Sequence, residues 1–320
     1  MKAEALIRTL EEYSPAVALG RKEGRENIIL CNLQETPAER EVRRFYEEEP
    51  YHKNPPRRDL QGRLEGLRRD WTNWIVPLTL EGRRTLDVGC GCGFNLALHG
   101  DLASVAVGVD VSLSALRRAR QYVVENGVSD RVFLIRGDIR HLDLPDDSFD
   151  LVTCVGVLHH IPDHILALAN MARLLDAEGI LLLGVYHPGG RFWHRMKRKA
   201  LSIFFERDVE RRVKWARRFF DVGKEAAGYD IPEEIYVRDS YAVPVEKAFT
   251  VASLAEQLES VGLTLLQVRP SPSQGFEGRV SDKAQRRWDR EGRPIPVDAR
   301  AVDRALSRAK RHHYWCLAQK

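Results

Sequence analysis

Asp87, Gly89, Gly91 and Gly93 share one short loop in "LDVGCGCGFNLALHG" (residues 86–100), directly after an apolar run, and Asp110 and Asp138 close two further apolar runs. Alternating glycines let a backbone turn tightly and approach a ligand closely. Carboxylates accept hydrogen bonds from hydroxyl and amino groups and attract cations. Cys90 and Cys92 stand in the same loop, but no second cysteine or histidine pair lies at zinc-like spacing, and a tetrahedral site needs three or four ligands. No metal is expected, and the thiols read as small side chains in a tight turn. Two details argue against a dinucleotide. The sixth place of the glycine pattern is Phe94 instead of glycine, and Asp87 would repel a pyrophosphate while suiting a cationic group.

Asp110 stands 21 residues after Gly89, where a carboxylate can accept both hydroxyls of a ribose. Asp138 in "RGDIRHL" can accept from an adenine amino group, with Ile139 as a face for the ring. The implied ligand has adenine, a ribose, no phosphate and a positively charged tail, a description that S-adenosylmethionine fits.

The elements that must hold these residues alternate from about Arg83. "RTLDVGC", "VAVGVDV", "RVFLIRGDI", "LVTCVGVLHH" and "ILLLGVYH" read as buried strands. "NLALHG", "SLSALRRARQYVVENG" (Ser112 as N-cap) and "PDHILALANMARLLDAEG" (opened by Pro162, closed at Gly179) read as the helices between them. After a break at "HPGG" the pattern resumes with a helix at "FTVASLAEQLESVGL", capped by Thr250 or Ser253, then "TLLQVRP" and "HHYWCLAQK" as an antiparallel edge pair. The predicted fold is an α/β doubly wound, Rossmann-like sheet of seven strands, mostly parallel, with an antiparallel C-terminal hairpin and helical insertions. The predicted organisation is an N-terminal helical extension and substrate lid over 1–82, followed by one domain over 83–320. That domain carries insertions at 188–248 and 271–311.

Residues 83–187 resemble the class I S-adenosylmethionine-dependent methyltransferases: "LDVGCGCG" is similar to their first motif, "GVDVS" to the second, "GDI" to the third and "FDLVTCVGVLHHI" to the fourth. The resemblance implies methyl transfer from S-adenosylmethionine. It places Asp87, Gly89, Gly91 and Gly93 at the methionine end of the cofactor, Asp110 at its ribose, and Asp138 with Ile139 at its adenine. Cys90, Val111 and Val155 complete the expected cofactor contacts, and Leu158 and His159 fall beside the reactive methyl.

Methyl transfer needs an aligned nucleophile and exclusion of water, and a general base only where the nucleophile arrives protonated. His159 is the candidate base, with His160 beside it in the substrate pocket. The fourth strand lacks the Asn/Asp-Pro-Pro-aromatic tetrapeptide of amino-group nucleobase methyltransferases, and Cys154 reads as a buried strand thiol. Tyr46 and Tyr51 in "VRRFYEEEPYHKNPP", and Tyr236, Asp239 and Tyr241 in "EEIYVRDSYAVPVEKAF", are the expected pocket residues on two lid segments.

Composition sets the outer bounds. Net charge is +4, but residues 191–221 hold 11 Lys/Arg against 4 Asp/Glu and residues 276–320 hold 12 against 6, which leaves the rest of the chain net negative. The first basic segment has apolar residues at helical spacing and reads as a cap over the active site, with Asp208/Arg212 and Glu210/Lys214 as i,i+4 pairs. Arg286, Arg287, Arg290 and Arg293 around Trp288 could extend that cationic surface. The expected acceptor is a small or medium organic molecule. The alternatives are an RNA methyltransferase using the basic segments, and a lipid- or quinone-type enzyme with peripheral membrane contact. Five scattered cysteines, no apolar run long enough to span a bilayer and a polar N-terminus predict a cytoplasmic protein without a transmembrane segment.

Overall fold

β-Branched and leucine-rich runs with no interior proline form the strands, and their alternation splits the core between two faces. The computed structural model describes residues 2–13, 28–31, 33, 35–51, 80–206, 208–227, 232–270, 287–288, 294–295, 297–308 and 313–320. In chain order these form α1 (Lys2–Tyr13), β1 (Ile28–Leu30), α2 (Pro37–Glu48), β2 (Arg84–Val88), α3 (Phe94–Leu102), β3 (Val105–Asp110) and α4 (Leu113–Glu125). Next come β4 (Val132–Arg136), β5 (Phe149–Val155), α5 (His164–Leu174) and β6 (Leu175–Tyr186). The helices α6 (Phe192–Phe205), α7 (Val209–Phe219), α8 (Val222–Ala226) and α9 (Glu233–Ala242) follow. The remaining elements are α10 (Val251–Ser260), β7 (Thr264–Pro270), β8 (Arg287–Trp288), β9 (Pro294–Ile295), α11 (Ala299–Arg308) and β10 (His313–Gln319).

The main sheet runs β1-β4-β3-β2-β5-β6-β10-β7. Pairing is parallel from β1 to β6, whereas β10 is antiparallel to both β6 and β7. The sheet thus has eight strands where seven were expected. The addition is β1, whose Ile28–Leu30 pairs with Leu134–Arg136, so the segment before residue 83 contributes a strand. Val107, Val109, Phe133 and Ile135 pack on one face with Leu6 and Leu10 of α1, and Ala106 and Leu134 pack on the other with Leu96 and Leu116. Ser112 caps α4 by accepting from the Ala115 amide, and Thr250, not Ser253, caps α10. The helix expected to run to Gly179 ends at Leu174, because Leu175 already pairs with Phe149 and opens β6.

The glycine loop between β2 and α3 is tight in its conformation and in its contacts. Gly93, the N-cap of α3, sits at φ +85°, and a Cβ there would lie 2.9 Å from the Ala119 Cα of α4. Gly93 thus sets how closely the two helices meet. Gly127 has a similar φ of +72° but open space around it. Gly127→Ala should cost about 1–2 kcal/mol for the left-handed conformation alone. Gly93→Ala should cost more and should also misplace the loop. Urea denaturation of the two variants measures the difference, and equal costs would remove the packing argument.

Candidate active site

The C-terminal ends of β2 to β6 open into a cavity of about 650 Å³. Open α/β sheets collect ligands at this edge. The cavity floor is built by carboxylates that hold backbone. Asp110 ends β3; its Oδ2 accepts from the Gly91 amide at 2.9 Å and its Oδ1 from the Ser112 amide at 2.8 Å. One side chain therefore joins the glycine loop to the start of α4. Gly89 and Cys90 both donate to the Val109 carbonyl, and a Cβ on Gly89 would stand 2.4 Å from Val157, so the loop lies against the segment after β5.

Asp87 is buried below the loop, where its Oδ1 accepts from the Thr153 hydroxyl at 2.7 Å. Burial pushes its carboxyl up to about 7, against the pull of Thr153, and the nearby Asp110 adds to the rise. Burial also raises Asp110. Two desolvated carboxylates in one cleft favour a cationic ligand.

On the far side, Asp138 and Ile139 line the wall, as expected, but Asp138 is also engaged by Arg140, from its backbone amide at 2.9 Å and from its guanidinium Nε at 3.0 Å. Arg140 extends further to Glu39 of α2, and both are buried. Glu39 accepts in turn from the Thr36 amide as part of a capping box.

Helix α2 forms the roof. Glu47 accepts from the Leu113 and Ser114 amides at the start of α4, and Tyr46 Oη donates to Asp239 of α9 at 3.0 Å. The cavity thus runs beneath a helix pinned both to the sheet and to the cap.

Of the residues singled out in the sequence, Asp87, Gly89, Cys90, Gly91, Asp110, Val111, Asp138, Ile139 and Val155 line the cavity, as do Tyr46, Tyr51, His160 and Asp239. Gly93 acts from behind as the turn into α3. Leu158 is fully buried and off the wall. His159 is also fully buried; its ring lies 3.9 Å from that of Tyr186, and neither nitrogen has a hydrogen-bond partner. Desolvation, reinforced by His160, His313 and Arg191, holds it well below the usual imidazole range. His159 is placed to back the wall. Tyr236 and Tyr241 turn into the core of the cap, where both hydroxyls meet Glu225. Sequence reasoning missed Tyr186, His313 and Trp315, which line the cavity from β6 and β10. Topology could have revealed them. The beginning of an antiparallel strand lies at the same sheet edge as the ends of its parallel neighbours, and alternate residues share a face.

The cap differs in detail from its sequence reading. Leu201, Phe205, Val213, Ala216 and Phe220 form its core with the two tyrosines, but Asp208 pairs with Arg211, and Arg212 is buried. Arg286, Arg290 and Arg293 lie outside the described residues, as do the side chains of Arg287 and Trp288. No helix among the described residues is long and apolar enough to cross a membrane.

Comparison with known proteins agrees with this geometry. Residues 86–183 match the family described as a methyltransferase domain. A ubiquinone biosynthesis O-methyltransferase of Haemophilus ducreyi is 30% identical over 107 residues, covering 32% of this chain and 45% of that enzyme. The 27-O-demethylrifamycin SV methyltransferase of Amycolatopsis mediterranei is 36% identical over 113 residues, covering 34% of this chain and 40% of the other. The chain thus spans less than half the length of these two relatives. The structure of PKMT2 from Rickettsia typhi in complex with AdoHcy superposes with a TM-score of 0.55 at 17% identity, over 80% of this chain and 52% of that one, a likeness of fold.

The Asp87 carboxyl near 7 generates a pH dependence. Its folded-state value is raised, so below pH 7 a cationic ligand must displace its proton, and above pH 7 the carboxylate is already present. Affinity for S-adenosylhomocysteine, which carries a cationic amino group, should rise by up to about tenfold per pH unit below 7 and level off above it. Asp87→Asn should flatten that slope in calorimetric titration, and an unchanged slope would detach the titration from Asp87.

Proposed function

With residues 86–183 matching a methyltransferase domain, we propose that this chain transfers a methyl group from S-adenosylmethionine to a hydroxyl oxygen of a small, uncharged aromatic acceptor. The observation that carries the reading is the wall beyond Val155. Tyr46, His160, Tyr186, His313 and Trp315 offer aromatic surface. Both described arginines of the cavity are already taken up by carboxylates, Arg43 by Glu35 and Arg140 by Glu39 with Asp138. Among the described residues an anionic acceptor would find no uncommitted guanidinium there, whereas a flat neutral ring would find surfaces to pack on. The names of the relatives, an O-methyltransferase among them, support oxygen as the acceptor atom.

The cavity residues fit the cofactor. Gly89 and Gly91 give the close backbone approach, Asp87 the counter-charge for the methionine end, and Asp110 the lone pairs for the ribose hydroxyls. Val111, Ile139 and Asp138 border the adenine position, and Val155 leads toward the acceptor. Bound there, the donor supplies a methyl carbon activated by its sulfonium. The protein's part is alignment, exclusion of water under α2, and removal of the hydroxyl proton.

For that proton the geometry favours His160 over His159. His160 Nδ1 lies 2.7 Å from the Val245 carbonyl, which can only accept. Nδ1 therefore carries a hydrogen, and in the neutral ring the lone pair falls on Nε2, on a side chain that lines the cavity. The acceptor hydroxyl proton passes to His160 Nε2 as the oxygen attacks.

The reading is tested with labelled S-adenosylmethionine against a panel of phenols, enols and their carboxylated analogues. Neutral hydroxyl compounds should be methylated and the carboxylated ones disfavoured. Preference for the anionic analogues, or methylation at nitrogen alone, would overturn the acceptor assignment. Asp110→Ala should weaken S-adenosylhomocysteine binding by about 1–3 kcal/mol. His160→Gln should lower kcat by roughly 10²–10⁴ with cofactor affinity unchanged. An undiminished kcat would remove His160 from proton transfer.

A further inference from the structure

Helix α6 has two apolar faces. Leu201 and Phe205 pack inward on Ala216 and Tyr241. On the other side Phe192, Trp193, Met196, Ile203 and Phe204 are exposed, Trp193 at 76% and Phe204 at 77%. At 3.6 residues per turn these five fall within an arc of about 120°. Ring contacts lead from the stripe to α7 through two partly buried residues: Phe204 lies tilted against Phe205 at 6.3 Å, Phe205 stacks on Trp215 at 5.4 Å, and Trp215 on Phe219 at 4.9 Å. Phe219 is itself exposed. Single exposed apolar residues are ordinary, but a continuous row of them marks a contact surface.

The charges around the stripe identify the partner. Between Phe192 and Phe205 there are four Lys/Arg and no acidic residue. Lys197 and Arg198 turn to Glu225 and to the Ser240 and Val243 carbonyls, while Arg195 and Lys199 remain exposed beside the stripe. On α7, Arg211, Lys214, Arg217 and Arg218 are exposed, Arg211 paired with Asp208 and Arg217 with Glu233, which leaves Arg218 as the cation beside Phe219.

We propose that this face of the cap docks on an anionic lipid surface, with Trp193, Ile203, Phe204 and Phe219 entering the interface and Arg195, Lys199 and Arg218 meeting the headgroups. Apolar burial and attraction to anionic lipid then act together, as they do for amphipathic helices lying in a membrane plane. A second copy presenting the same face would bring like charges together. A nucleic-acid duplex would meet the cations with its phosphates and leave the aromatic row in water. The docked face begins close to the cavity, since α6 follows Tyr186 by a few residues and the Arg191 guanidinium lies 3.8 Å over the Tyr186 ring. The proposal goes beyond the methyl-transfer reading and does not depend on it.

The test is flotation of the full chain with phosphatidylcholine vesicles, with and without phosphatidylglycerol. Binding should require the anionic lipid and should fall at least tenfold between low and high salt. Tryptophan fluorescence should be quenched by brominated acyl chains, and Trp193→Phe should lose much of that quenching while still binding. The double variant Trp193→Ser/Phe204→Ser should lose binding at least tenfold with S-adenosylhomocysteine affinity unchanged, which shows that it is folded. Absence of vesicle binding, binding indifferent to lipid charge, or full binding by the double variant would each overturn the proposal. So would RNA binding, or self-association in sedimentation, that the double variant abolishes while vesicles are ignored.

Discussion

The Asp110 carboxylate, buried at the end of β3, accepts from two backbone amides that belong to different elements, Gly91 of the glycine loop and Ser112 at the start of α4. Desolvating a carboxylate is costly unless donors replace the lost water, and these two amides do so. The result is a fixed junction between loop, strand and helix. The glycines around it hold their left-handed conformations because the loop is pinned there, and the cavity floor takes its shape from them. Asp87 and Thr153 make a second, deeper support of the same kind.

A roof can be accurate only if it is tied to such a floor, and α2 is tied along its length. Glu39 near its start reaches Arg140 beside Asp138, Glu47 near its end accepts from the first amides of α4, and Tyr46 joins Asp239 of the cap. Arg238 adds a contact over the Phe45 ring at 4.6 Å. Both ends of the cavity, toward Asp138 and toward Asp239, are therefore covered by the same helix. The cap is held from below by Glu246, a buried carboxylate paired with Arg191 and, at longer range, Arg198, which hold its carboxyl below the usual range.

Much of this was legible in the sequence because strands, caps and glycine turns are local. The parallel core, the Ser112 cap, the loop carboxylates and the inward Leu201–Phe220 series follow from spacing alone. β1 was not legible: three residues, Ile28–Leu30, carry too little pattern to be read as a strand, and their pairing with β4 is long-range. Nor was the division between His159 and His160. Adjacent histidines on the single turn Leu158–His160 point different ways, and only tertiary contacts show that one lies against Tyr186 while the other is oriented by Val245. Tyr236 and Tyr241 were misplaced for a related reason. A helix presents several faces, and composition cannot say which one meets the cavity.

Strand order along the chain differs from strand order in the sheet, and this bears on how the protein is made. β10 follows β7 in sequence, yet it lies between β6 and β7, and among the described residues β7 pairs with nothing else. While the chain emerges from the ribosome, β6 has a bare edge and β7 has no sheet to join until His313–Gln319 arrives. The half of the sheet that carries the glycine loop and Asp110, β2 to β5, is complete much earlier in the chain. The acceptor wall is not, since His313 and Trp315 come with the inserting strand. On the proposed reading, a nascent chain thus acquires the means to hold the methyl donor well before it has a complete place for the molecule to be methylated.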